Sequence, residues 1–71
     1  MKSFSQIIEM WPTAEVFGAD IGIAGHLARK WKARNTLPSR HWNTVVEKAR
    51  ERGIDVSLHI LADVAERRQA A

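Results

Sequence analysis

The chain has 71 residues and no cysteine, so it makes one small domain, residues 1–71, with no disulfide to staple its core. No apolar run is long enough to span a bilayer, and the start MKSFSQIIEMWP has too short an apolar part, with Glu9 inside it, to be a signal peptide; a reducing, cytoplasmic setting is expected. The net charge of +3 is modest but localised: residues 21–46 carry Arg29, Lys30, Lys32, Arg34 and Arg40 with no acid, residues 1–20 carry Lys2 against Glu9, Glu15 and Asp20, and residues 47–71 balance, which is the footprint expected for contact with phosphates.

Phe4, Ile7, Ile8 and Trp11 follow the i, i+3, i+4, i+7 pattern, so residues 4–11 read as a short amphipathic helix capped by Ser3 and ended by Pro12. Thr13 caps a second helix that runs to about Asp20, a turn residue, with Val16 and Phe17 in the core and Met10 beside them. Gly22 then permits a tight turn with positive φ. The third helix is expected from about Ala24 to Arg34. On a wheel of about 100° per residue, Leu27, Ala28 and Trp31 share one side of it, and His26, Arg29, Lys30 and Ala33 share the other. Gly18 is small where these two helices would cross. Gly25 weakens the first turn slightly, and either brings the helix start close to a phosphate or is tolerated at a frayed end.

Asn35, Thr36 and Pro38 stop the third helix, and Leu37 anchors the loop. Pro38 and Ser39 open a fourth, with Trp42, Val45, Val46 and Ala49 facing the core and Gly53 as its C-cap. Its charges, from Glu47 to Arg52, read as a generic solvated face. Ser57 caps a last helix over Leu58 to Arg68. Leu58, Leu61, Ala62 and Ala65 form its core side. Ile60 and Val64 form a second stripe, which with Ile54 and Val56 is expected to be a dimer surface; the alternative is that Ile60 and Val64 pack under Phe4 or Ile7 within one chain.

The block GIAGHLARKWKARNTLPSRHW, residues 22–42, resembles the short phage-type regulators of the Cro and λ-repressor-like superfamily. The shared features are a helix-turn-helix ending in a tryptophan plus basic run (Trp31, Lys32, Arg34), the pair Leu37-Pro38, and Trp42 at the start of the next helix. The resemblance extends over residues 4–66, with the central block distinctive. It implies an all-α, compact bundle of about five short helices containing a helix-turn-helix, sequence-specific operator binding, and dimers on palindromic sites. Carried over by position, the base-reading slots are Ala24, Gly25, His26, Arg29, Lys30 and Ala33. The phosphate slots are Thr13, Lys32, Arg34 and Arg40. Two departures stand out: Ala28 occupies a position where the family usually has a branched apolar residue, and Ala24 and Gly25 are bare where many relatives are polar. Specificity would then rest on His26, Arg29 and Lys30.

Groove chemistry fits these residue types. Arg29 suits the O6 and N7 of a guanine in bidentate fashion, or equally a phosphate; Lys30 suits either; His26 can donate or accept at a base edge; Ala24 can pack on a thymine methyl. The leading expectation is therefore a transcriptional regulator of double-stranded DNA, a phage or prophage-type repressor that binds a palindromic operator as a dimer through the major groove. The alternative is a protein-interaction module, antitoxin-like or adaptor, that keeps the same fold. Catalysis is not expected. His26, His41 and His59 are scattered without cysteine companions, Ser57 and His59 do not face each other on a helix, and there is no glycine-rich phosphate loop. No metal, cofactor, small-molecule substrate or membrane is implied, since the narrow apolar side of the third helix is needed for the core.

Overall fold

The computed structural model describes residues 3–70. Its elements are five α-helices: α1 (Phe4–Ile8), α2 (Ala14–Ile21), α3 (Gly25–Arg34), α4 (Trp42–Arg52) and α5 (Leu58–Ala70), with one turn of 3-10 helix at Ser39–His41 before α4. Among the described residues there is no strand. The radius of gyration, 11.0 Å, is that of a well-packed chain of this length.

Local hydrogen bonding sets the helix ends. Ser3 and Gln6 form a reciprocal capping box at α1, with Gln6 N donating to Ser3 Oγ (3.1 Å) and Ser3 N donating to Gln6 Oε1 (2.9 Å). The helix is shorter than the expected 4–11. The amides of Met10 and Trp11 donate to the carbonyls of Ile7 and Ile8, tightening the last turn before Pro12 forces the chain out of helical geometry. Thr13 caps α2, accepting from Val16 N at 3.0 Å, and Ser57 caps α5, accepting from Ile60 N at 3.2 Å. Gly22 (φ 83°) and Gly53 (φ 73°) end α2 and α4 in the left-handed region, as expected of both.

Asn35 is the one non-glycine with positive φ (54°) among the described residues, and it ends α3. Its side chain accepts a hydrogen bond from Ser5 N at 3.0 Å, while Ser5 Oγ donates to the carbonyl of Lys32. The start of α1 thus satisfies one backbone carbonyl and one side-chain oxygen at the end of α3, where an α-helix leaves its last carbonyls unpaired.

The core is built on Phe17, Ile7, Ile8, Leu61 and Val45, all fully buried. Trp11 packs edge-on against Phe17, with ring centroids 4.8 Å apart. Two expectations fail on α5. Leu58, placed in the core by its spacing, is 47% exposed, and Ala62 is also exposed. Val64 and Val56, placed at a dimer surface, are buried within this chain, and Ile54 and Ile60 are half-buried against the same core. The reason is geometric. Two stripes about 120° apart both satisfy helical spacing, and the side of α5 that is covered, where it packs on α4, takes residues from each. Leu61 and Val64 mark the buried side, so the proposed dimer patch does not exist as a free surface.

Asp20 is a helical residue rather than a turn residue, and it organises a small polar network. It accepts from Trp11 Nε1 at 2.8 Å, and Arg52 of α4 donates to both its oxygens, from Nε and from Nη2, the latter at 3.0 Å. Arg52 is therefore not part of a generic solvated face. The hydrogen bond from Arg52 holds the Asp20 carboxyl below the ordinary aspartate value, with burial opposing and Trp11 adding to the shift. A depressed folded-state pKa gives stability that is complete above the unfolded value, about 3.9, and lost as pH falls through the folded value. Urea titrations below about pH 4 should therefore show a steeper loss of stability in the wild type than in Asp20→Asn, whose amide oxygen still accepts from Trp11. Parallel curves for the two proteins would remove Asp20 from the acid response.

Candidate nucleic-acid interface

The crossing of α2 and α3 sets the orientation of everything that follows. A Cβ at Gly18 would lie 3.1 Å from Ala28 Cβ, 3.1 Å from the Ile23 carbonyl oxygen and 3.4 Å from that of Ala24. The two backbones approach as closely as a missing side chain allows, and Ala28 is small for the same reason. A branched residue at either position would separate the helices, which explains the departure at Ala28. Ala28 and Trp31 are buried beneath α3, and Leu27 is half-buried beside them.

With that side covered, the other faces solvent. Ala24, His26, Arg29, Lys30, Ala33 and Arg34 are all exposed, and so are Thr13, Lys32 and Arg40; only Gly25 is half-buried. Thr13, Arg29, Lys32 and Ala33 come together with Ser5, Glu9 and Glu15 around one open cleft of about 600 Å³ between the α1–α2 junction and α3. His26, Lys30, Arg34 and Arg40 do not line it. Thr13 has its oxygen committed to capping α2, leaving its hydroxyl proton as the group it can offer a ligand.

The charge of this face differs from the linear distribution. Arg29 Nη1 pairs with Glu15 of α2, and Lys32 Nζ lies 3.9 Å from Glu9, the residue after α1. The hydrogen bond from Arg29, followed by one from its own backbone, holds the Glu15 carboxyl below its usual range. Neither acid was assigned to the site from sequence. An acid-free run in the chain says nothing about acids that neighbouring helices bring to it. Gly25 has a similar explanation. A Cβ there would lie 3.0 Å from Glu15 Cγ, so its neighbour is the Glu15 stem.

His41 is half-buried with its ring 5.2 Å from that of Trp31. Trp42 donates from Nε1 to the Leu37 carbonyl at 2.9 Å and packs near Phe4, so it belongs to the core edge. Among the described residues no three His, Asp or Glu side chains converge as metal ligands would, and no helix is long and apolar enough to cross a membrane. Compared with protein-family models, with curated proteins and with solved structures, the chain matches none.

Proposed function

We propose that this chain is a helix-turn-helix regulator of the λ-repressor-like kind that reads double-stranded DNA by placing α3 in the major groove. The observation that carries this reading is the pairing of a tight α2–Gly22–α3 crossing with an outward α3 face of His26, Arg29, Lys30 and Ala33. The crossing holds α3 firmly by one side. The other side presents groups that suit base edges, and Lys32, Arg34 and Arg40 flank it for phosphates. The phage-type repressor role follows from the resemblance of residues 22–42. One recognition helix reads only a few base pairs, so tight operator binding needs two copies on a two-fold site.

Selection of bound duplexes from a random pool tests the reading. Enrichment of a sequence supports it, and the absence of any retained duplex at moderate salt removes it. Within the selected site, Arg29→Ala should cost roughly 1–3 kcal/mol and relax preference at one base position. Equal loss on selected and random DNA would make Arg29 a backbone contact only. Arg34→Ala should weaken binding to all sequences alike and lower the log–log salt slope by about 0.9, one phosphate contact. An unchanged slope would take Arg34 off the phosphates.

A protein-interaction module of the same fold draws support from one observation, the partial neutralisation of Arg29 and Lys32 by Glu15 and Glu9. It is the reading that survives if no duplex is retained.

A further inference from the structure

Glu15 occupies a place that its own helix does not require. An acid in the first turn of α2 is favourable for the helix dipole, and that alone would justify its identity. It does not explain Gly25. The start of α3 gives up its side chain where the Glu15 stem lies against it, with Glu15 Cγ only 3.0 Å from where a Cβ would sit. The carboxylate then reaches past Gly25 to Arg29, one turn further along α3.

The pair is not a core element. The side chains of Arg29 and Glu15 are 58% and 52% exposed, and ion pairs so exposed add little to folding. Its consequence lies on the outer face of α3. The hydrogen bond uses Nη1 of the guanidinium. Arginine has five N–H donors in a planar fork, so the edge made by Nε and Nη2 stays open. That edge is of the kind that reads guanine O6 and N7 in bidentate fashion. A phosphate arriving at random meets a cation already paired and a carboxylate beside it.

We infer that Glu15 is a specificity-determining positioning residue, which holds Arg29 by Nη1 so that its remaining edge meets a base, and which disfavours random phosphate contact by its own charge. This inference rests on the DNA-binding reading above. Glu9, which faces Lys32 at 3.9 Å without a hydrogen bond, provides the control: it brings the same charge to the cleft without fixing a donor edge.

The test is a double-variant cycle on the full chain, with Glu15→Gln, Arg29→Ala and the two combined. Each protein is titrated with the duplex enriched by the wild type and with a random duplex of equal length, over a salt series. Glu15→Gln should bind random DNA roughly 3–10-fold more tightly and steepen the salt slope by about 0.9, because Arg29 is released to a phosphate. Selected DNA should gain less, so the ratio of selected to random affinity drops by about threefold or more. In the Arg29→Ala background the same substitution should change that ratio by less than about twofold. Glu9→Gln should raise both affinities together and leave the ratio intact. Thermal melts by circular dichroism should differ by no more than a few degrees between wild type and Glu15→Gln, the loss of one first-turn acid, and a purely structural role would not move the salt slope. An unchanged ratio in Glu15→Gln overturns the inference, as does an equal change with and without Arg29. A wild type that retains or enriches no duplex removes the DNA-binding reading itself, which is a different result from a wild type that discriminates as well without the Glu15 charge.

Discussion

Val64→Asp should leave the domain unfolded under conditions in which the wild type is stable. Val64 is 7% exposed on α5, one turn from the fully buried Leu61. No cation shares that core, since every buried side chain among the described residues is apolar. A carboxylate placed there gives up its hydration with no partner, or takes up a proton and still lacks hydrogen bonds. Costs above about 4 kcal/mol belong to this kind of change, and a small single-core domain has little more than about 5 kcal/mol in total. Leu58→Asp is the matching control. Its side chain faces solvent, so the melting curve should stay within about 0.5 kcal/mol of wild type. Circular dichroism and urea titration read both. The opposite pattern would be a folded Val64→Asp of halved mass in sedimentation. That outcome would return Val64 to an intermolecular surface and refute the burial described above.

Gly18→Val should cost about 3 kcal/mol and, under the proposed function, abolish duplex binding. Valine's Cβ alone would be 3.1 Å from both Ala28 Cβ and the Ile23 carbonyl, and its two methyls extend further into α3. Two of the three nearest atoms are backbone carbonyl oxygens of the turn, which cannot rotate aside as a flexible side chain would. The helices must part, and parting them exposes Phe17 and Ala28, both fully buried. Gly18→Ala separates the contact from the backbone effect. Alanine should gain about 1 kcal/mol in helix propensity, so a melting point at or below wild type shows that crowding outweighs that gain. If Gly18→Val melts like the wild type and still binds the selected duplex, the close crossing is not what orients α3.

The order of these effects follows distance along the chain. Features decided within one helical turn were legible in the residues alone. Ser3, Thr13 and Ser57 cap helices through bonds that span three residues, and Gly22 and Gly53 end helices through their own φ. The two sides of α3 were equally clear, because a single apolar stripe of Leu27, Ala28 and Trp31 leaves only one way to bury it. On α5 two apolar stripes were available, and the buried side takes Leu61 from the first and Val64 from the second, a result that spacing within the helix does not decide.

What the amino-acid sequence determined by itself was therefore an all-helical chain, the places where its helices start and stop, and a cationic outer face on α3. Each of these depends on groups within a turn of one another, where covalent connection already fixes the distances. The tertiary structure alone decided which side of α5 is covered, that Asn35 meets Ser5 across 30 residues, and that Asp20 gathers Trp11 and Arg52, the latter 32 residues away. It also brought Glu15 and Glu9 to Arg29 and Lys32, in a chain whose residues 21–46 contain no acid. Pairs of that kind depend on how helices cross, and the crossing is set by which small residues let two backbones meet, here Gly18 against Ala28.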